Sequence, residues 1–182
     1  MSQYYFTVAS LPHLTYSMDK IPTIEQFLEI CGKNLNTKDF KLIESAVIDD
    51  FEDKKSDNKI LNNWLIWEKN LRNSLVRLRA KKRNESPDKY LKQNPELFID
   101  DKFIREAFED DSPLNAEDIL NRERWSFLDQ LELGHYFDEV KLFVYYLKLQ
   151  LLWRKNKINK EKGIQNFNEI VESFSSELSQ VE

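Results

Sequence analysis

The spacing of apolar residues constrains the fold of this chain more than any other feature. From Thr23 onward, Leu, Ile, Val and aromatic residues recur three and four positions apart, which places them on one face of an α-helix. Only 3 Gly and 5 Pro interrupt the 182 residues, and both residue types are unfavourable inside helices. The pattern therefore predicts an all-α fold, a helical bundle of about seven or eight helices.

Capping residues mark the predicted helix starts in the first part of the chain. Thr23 followed by Gln26 is a capping box, and Thr37 is predicted to cap a second helix. The acidic stretch 49–58 is predicted to be a solvated loop, and a long helix after it is expected to end near Asn84. The apolar residues of the second helix are Phe40, Ile43, Val47 and Phe51, and those of the long helix are Leu61, Trp64, Leu65, Leu71, Leu75 and Leu78.

Further start and stop signals divide the second half of the chain. The Ser86-Pro87 pair is predicted to open a short helix, because proline is favoured at the first helical position. Asn115, with Asp118 three residues on, is predicted to cap a later helix that Gly134 ends. Two other helices are predicted, a short one with Phe103, Ile104, Ala107 and Phe108 and a long one from about Tyr136 to Lys155.

Alternatives remain open at both ends of the chain. Residues 1–22 fit either a short extended strand or a helix with Tyr4 and Val8 on one face. Residues 159–182 are predicted to form a helix with a narrow apolar seam. This C-terminal helix either folds back onto the preceding helix or projects as an arm that binds a partner. Both segments are assigned to one helical domain that spans residues 1–182.

Residue types suited to catalysis are scarce. Neither histidine, His13 or His135, lies in a nucleophile motif or has metal-ligand spacing, and His135 is predicted to cap or pack a helix. Cys31 lies in an apolar helical pattern and is predicted to be buried. The isolated glycines form no phosphate-binding loop. Carboxylate clusters at 49–53 and 109–111 are predicted to lie in solvated turns. We therefore expect no catalytic residue, no cofactor site and no metal site.

The long predicted helix carries a basic run after Glu68. Glu68 and Arg72 are spaced to form an ion pair one turn apart, and Arg79 lies two turns beyond Arg72 on the same side. Glu68, Arg72 and Arg79 are therefore predicted to form a structural ion-pair network. For the run as a whole, three interpretations are open: a solvated helix face, neutralisation by the acid-rich region 96–123, or a nucleic-acid groove. The run comprises Arg72, Arg77, Arg79, Lys81, Lys82 and Arg83.

Charge and hydropathy indicate a cytoplasmic protein. The net charge of −5 gives no support to general nucleic-acid binding, which normally requires a basic balance. The first residues contain no basic region followed by an apolar stretch, so no signal peptide is predicted. The most apolar run, Leu142 to Trp153, contains Lys148 and Gln150 and is too short to cross a bilayer.

Two sets of segments resemble proteins of rotary ATPases. Residues 68–80, followed by Ser86-Pro87-Asp88, resemble the E-x-N-L-R-x-x-L-x-x-x-R-A … S-P-E helix found in the C subunit of V/A-type ATPases, whose eukaryotic relative is the d subunit. Residues 4–12 and 124–138 are similar to a bacterial family of uncharacterised proteins associated with V-type ATPase operons and taken as short equivalents of that C subunit. Leu147 to Gln150 is also similar to that family.

The resemblance implies an all-helical, non-catalytic subunit that seats the central shaft of an ion-transporting rotary ATPase on its membrane ring. Its partners would be the rotor-stalk subunits and the membrane ring, and it would associate with the membrane only through them. The chain is much shorter than the usual C subunit of these ATPases and shows no three repeats, so a complete funnel-shaped socket is not implied. The residues alone also fit a free-standing helical adaptor unrelated to ATPases.

Overall fold

Helices form all the regular secondary structure in the described part of the chain. The computed structural model describes residues 2–48, 59–93 and 101–158, together with Gly163 and Val171. Within these residues there are seven helices and no strand, which confirms the all-α prediction. They are α1 (Ser2–Ser10), α2 (Ile24–Asn34), α3 (Thr37–Glu44), α4 (Lys59–Arg83), α5 (Asp101–Glu109), α6 (Pro113–Glu132) and α7 (Glu139–Lys157). The predicted loop 49–58 lies outside the described residues. So does the helix predicted for 159–182, except for Gly163 and Val171.

The N-terminal segment adopts the helical alternative. The inner face of α1, which includes Val8, packs against the core. The chain then continues without regular structure along α7. The Tyr145 hydroxyl donates a hydrogen bond to the Pro12 carbonyl at 3.1 Å, and the Trp153 indole N–H donates to the Pro22 carbonyl at 2.8 Å. These two bonds hold the segment between α1 and α2 against the middle and the C-terminal part of α7.

The predicted start of α2 is confirmed, and that of α3 is displaced by one residue. Thr23 and Gln26 exchange two side-chain to backbone hydrogen bonds, each 3.1 Å long, and so form the capping box. In α3 the capping residue is Asn36 and not Thr37, because the Asn36 side chain accepts a hydrogen bond from the Asp39 N–H at 2.9 Å. Asn is at least as good a cap as Thr, and it comes first in the chain.

The helix α3 is shorter than predicted. It ends at Glu44, and the chain then turns through Ser45 and Ala46. Val47 is therefore exposed and does not continue the apolar face of Phe40 and Ile43. Phe51, the last residue predicted for this face, lies outside the described residues.

The long helix α4 ends where the sequence predicts. Asn84 has a positive φ of 55°, in the left-handed region that Asn tolerates better than most residues. The Glu85 N–H donates back to the Ala80 carbonyl at 3.0 Å, across the end of the helix. This arrangement satisfies one of the free carbonyls at the helix terminus and reverses the direction of the chain.

The Ser86-Pro87 pair opens a turn, so the short helix predicted there is wrong. The Tyr90 N–H donates to the Pro87 carbonyl at 2.9 Å, but residues 86–93 form no helix. The buried side chain of Asn73 on α4 instead pairs with the backbone of Lys92, through bonds of 2.8 and 3.0 Å. This long-range pairing takes up the N–H and carbonyl of Lys92 and holds the segment beside α4.

The helices α6 and α7 each begin at a residue other than the predicted one. Ser112, and not Asn115, caps α6: its hydroxyl accepts a hydrogen bond from the Asn115 N–H at 3.3 Å. Gly134 has φ of 85° and follows the end of α6 closely, as predicted. α7 begins at Glu139, three residues after the predicted Tyr136, because Asp138 caps it.

The helix α7 lies at the centre of the fold. It packs against α1, α2, α3 and α6, whereas α4 and α5 pack on α6. All residues from 142 to 152 are buried, including Lys148 and Gln150. The Gln150 amide donates to the Ala46 carbonyl at 2.7 Å and accepts from the Ile48 N–H at 3.0 Å, so its polar atoms are satisfied. Among the described residues, no helix is sufficiently long and apolar to cross a membrane.

Stacked aromatic rings join the helices of the core. Phe27 on α2 stacks on Tyr145 and Tyr146 of α7, with ring centres 5.3 and 5.1 Å apart. Trp67 on α4 stacks on Phe127 of α6 at 4.6 Å. Burying a ring of this size contributes roughly 1.5–3 kcal/mol. These contacts fix α2 against α7 and α4 against α6.

Candidate functional site

A buried ion pair joins α4 to α6. The Arg124 guanidinium donates from Nε and Nη2 to the two carboxylate oxygens of Glu68, at 2.9 and 3.0 Å. Arg72 Nε donates to the same carboxylate at 2.9 Å from the next turn of α4. The Glu68 and Arg124 side chains are only 1 and 4 % exposed. The two-bond geometry is the strongest that an arginine and a carboxylate can form, and burial requires it.

The same arginine extends the network to α7. Arg124 Nη1 donates to the Asn121 side-chain oxygen at 2.9 Å and to Glu117 at 3.3 Å. Arg154 on α7 donates to the same oxygen of Glu117 at 2.6 Å. The helices α4, α6 and α7 are therefore connected through one chain of charge-assisted hydrogen bonds.

The structure brings together two of the three residues predicted for this network. Glu68 and Arg72 form the expected pair one helical turn apart. Arg79 lies on the same side of α4 but is exposed, and no ion pair joins it to Glu68. The second cation on Glu68 is Arg124, because α6 contacts α4 at Glu68 and not about three turns further on, at Arg79.

Sequence reasoning missed Arg124, although a signal for it exists. Arg124 lies four residues after Leu120 and four before Leu128, both of which are buried. An arginine in register with apolar residues on one helix face must be buried with them or distort the packing. A buried arginine requires a carboxylate partner, so the position of Arg124 among apolar residues predicts such a partner.

A second ion-pair cluster lies between α6 and α7. Lys148 is 7 % exposed and contacts Glu132 and Asp129, with a distance of 2.6 Å to Asp129. Its ammonium group lies 5.3 Å from the centre of the Trp125 ring. Lys141 also contacts Glu132, and burial together with the charge of Lys148 lowers its pKa. The cluster lines a cleft of about 460 Å³, but each lysine already has a carboxylate partner.

Tyr16 anchors the segment after α1 to α6 and to the C-terminal end of α7. Its hydroxyl donates to the Asp118 carboxylate at 2.8 Å. Its ring lies between two cations, Lys155 at 3.9 Å and Arg122 at 5.1 Å from the ring centre. Burial, reinforced by the hydrogen bond to Asp118, raises the pKa of Tyr16. The tyrosine therefore stays protonated and serves as a structural donor.

The groups weighed for catalysis have structural contacts. Cys31 is fully buried, as predicted, and burial raises the pKa of its thiol to about 12. His135 Nδ1 lies 2.6 Å from the carboxylate of Asp138, the residue that caps α7. Asp110 accepts the N–H of Ser112. No group of three or more His, Cys, Asp or Glu side chains suited to a metal ion occurs in the described residues. The carboxylates at 49–53 lie outside them.

The end of α4 and the turn after it form a basic surface, here called the basic end of α4 and defined as residues 77–92. It carries seven cations and two carboxylates. All seven cations are exposed, as a solvated face requires. The acid-rich region 96–123 approaches this surface through α5, where the Phe108 ring centre lies 5.5 Å from Lys82 Nζ. The cations are Arg77, Arg79, Lys81, Lys82, Arg83, Lys89 and Lys92.

A patch of exposed aromatic and apolar residues lies where α1 meets the α6–α7 turn. The Tyr5 ring centre is 4.8 Å from that of Phe137 and 5.9 Å from that of Phe6. Leu133 and Tyr136, which belong to the same turn, are 84 and 73 % exposed. Contiguous exposed apolar surface is a common feature of contact sites. We call these five residues the aromatic patch.

The fold and these sites define an all-α protein whose helices are held together by stacked rings and buried ion pairs. Residues 95–178, just under half of the chain, match the model of a family described as "Protein of unknown function (DUF2764)". No curated protein and no solved structure matches the chain. The matched region includes α5, α6 and α7, and therefore both Arg124 and the Lys148 cluster.

Proposed function

We propose that this chain is a non-catalytic component of a V-type ATPase, similar to the C subunit, that couples the central rotor stalk to the membrane ring. The Glu68–Arg124 ion pair is the observation that supports this most. Glu68 belongs to the stretch that resembles the C subunit, and Arg124 belongs to the stretch that resembles the bacterial operon-associated family. Residues from the two separately resembling stretches are thus bound to each other in the core.

The construction of the core suits a part that transmits force. A coupling component must keep its shape under torque, which favours directional contacts between helices over apolar contacts that can slide. Glu68, Arg124, Glu117 and Arg154 supply such contacts from α4 to α7. Separating a buried ion pair leaves each charge buried without its partner. Relative movement of these helices therefore costs free energy.

In this role the protein lies in the cytoplasm and reaches the membrane only through protein partners. The test is affinity purification of the tagged full-length chain from membranes of its source cells, with and without detergent. We expect the rotor-stalk subunits in both preparations and the membrane ring in the detergent preparation. A tagged helical protein of similar size and charge is the control.

A free-standing adaptor is the second candidate, and the exposed aromatic patch favours it as much as the first. Tyr5, Tyr136 and Phe137 offer a contact surface to any partner with a complementary apolar face. Reproducible recovery of other proteins without a single ATPase component would reject the coupling role and leave the adaptor. Genes for ATPase subunits on both sides of the gene would favour the coupling role.

A further inference from the structure

We propose that the basic end of α4 is a docking surface for an acidic helix or loop of a partner protein. Residues 77–92 carry a net charge of +5 in a chain whose net charge is −5, so the rest of the chain carries −10. The surface is therefore the main concentration of positive charge on an otherwise acidic protein. Charge of this kind directs association towards partners of opposite sign.

The cations of the basic end lie close together and lack ion-pair partners among the described residues. None of its seven Lys and Arg side chains forms an ion pair with any described residue. Outside this surface, many described cations are paired with carboxylates. These are Lys33, Arg72, Arg122, Arg124, Lys141, Lys148, Arg154 and Lys155.

The arrangement on α4 is unfavourable for the isolated chain. Arg77 and Lys81 are one turn apart on the helix, as are Arg79 and Arg83, and like charges at this spacing repel. The negative end of the helix dipole compensates for cations in the last turn only. An acidic partner would reduce this repulsion.

Residues outside the described ranges also carry carboxylates. Residues 94–100 contain two, Glu96 and Asp100, and pairing both would leave a net charge of +3. Residues 49–58 and residues 159–182 each carry a net charge of −3 and are alternative occupants, which the experiment below distinguishes.

The surface is held in shape by the fold. The Asn73–Lys92 hydrogen bonds keep the returning segment beside α4. Two clefts border this part of α4, one between α4 and α5 and one between α4 and the returning segment. The cleft towards α5, of about 660 Å³, is lined by Arg77, Lys81 and Lys82, and the other, of about 260 Å³, by Arg79, Tyr90 and Lys92 among others. A partner helix or loop lying in one cleft would meet cations along its length.

The size and surroundings of the surface favour a protein partner over a bilayer or a nucleic acid. The helical part, residues 77–83, is only about 10 Å long. Glu109 lines the cleft towards α5, and Asp110 and Asp111 follow it directly. A polyanion longer than this helical part would meet these carboxylates, whereas a short acidic segment need not reach Asp110 and Asp111. Arginines bind carboxylates, as they bind phosphates, through two parallel hydrogen bonds, so the guanidinium groups by themselves do not decide between these partners.

The test uses the full chain and a fluorescein-labelled decaglutamate peptide, followed by fluorescence anisotropy at about 50 mM salt. We expect saturable binding that weakens as salt increases. The variant Arg77→Gln/Lys81→Gln/Lys82→Gln should bind about tenfold more weakly or worse. The control Lys20→Gln/Lys38→Gln/Lys41→Gln removes the same charge from exposed positions on other elements and should stay within about twofold of wild type.

Three results would overturn the assignment. The first is equal binding by the two triple variants. The second is tighter binding of a DNA duplex or of phosphatidylserine vesicles, titrated in the same way, than of the peptide. The third is a lower melting temperature of the Arg77/Lys81/Lys82 variant than of the control, because this would indicate that the chain's own carboxylates occupy the surface. If the surface is unoccupied, removing the repulsion between these cations should leave the melting temperature of the variant unchanged or higher. None of these results depends on recovery of ATPase components.

Discussion

Arg124 binds both oxygens of the Glu68 carboxylate across 56 residues of sequence, and this contact orients the two halves of the protein. It joins the long helix α4 to α6, which in turn packs on the central helix α7. Because both side chains are buried, neither has water as an alternative partner. The stability of the whole arrangement therefore depends on keeping the pair intact.

Replacing Glu68 with Ala should lower the free energy of unfolding by about 3–5 kcal/mol, because Arg124 would remain buried without its carboxylate. Urea unfolding followed by far-ultraviolet circular dichroism measures this change. Arg79→Ala is the matched control on the same helix face and should change it by less than about 0.5 kcal/mol, since Arg79 is exposed. A Glu68→Ala variant as stable as the control would contradict the bracing role.

Gln150→Leu should lower the free energy of unfolding by about 2–4 kcal/mol although it increases apolar content. The substitution removes the partners of the Ile48 N–H and the Ala46 carbonyl, which lie in a buried turn after α3. Asn34→Ala is the control, because Asn34 bonds the Ile30 carbonyl at an exposed position. Equal urea midpoints for the two variants would show that the Gln150 bonds contribute little.

The protein should lose stability as pH rises from about 9 to about 12. Burial raises the pKa of Cys31 from its ordinary 9.0 to about 12 and that of Tyr145 from 10.0 to about 12. In this window the unfolded chain has released protons that the folded chain still holds, so rising pH favours unfolding. Urea midpoints measured across this range test the slope, and Cys31→Ala should make it shallower. Rapid reaction of native Cys31 with a thiol reagent at pH 8 would contradict its burial.

Two glycine substitutions should act in opposite directions. Gly134→Ala should destabilise by about 1 kcal/mol, because φ of 85° strains a residue with a Cβ while the added atom meets nothing within 4 Å. Gly32→Ala lies within α2, where the added Cβ would be in ordinary contact with the Phe40 ring at 3.6 Å. It should stabilise by about 0.5–1 kcal/mol through helix propensity. Thermal melts of the two variants should therefore lie on opposite sides of wild type.

Features formed within a few residues of sequence were predictable. The Thr23–Gln26 capping box and the Gly134 stop each depend on backbone and side-chain groups close along the chain. Where prediction of a cap failed, a neighbouring residue was also suitable: Asn36 precedes Thr37 and Ser112 precedes Asn115. The choice between such neighbours depends on fractions of a kcal/mol that spacing does not resolve.

The sequence by itself determined that the chain is helical, where most helices begin and end to within a few residues, and that Cys31 is buried. These follow from apolar periodicity and capping, which act over one or two helical turns. Only the tertiary structure decided that Arg124 takes the place predicted for Arg79, and that Lys148 and Gln150 are buried with their own partners. Such choices depend on where helices distant in sequence cross, because a charge can be buried only where the packing of another helix brings its partner within hydrogen-bonding distance.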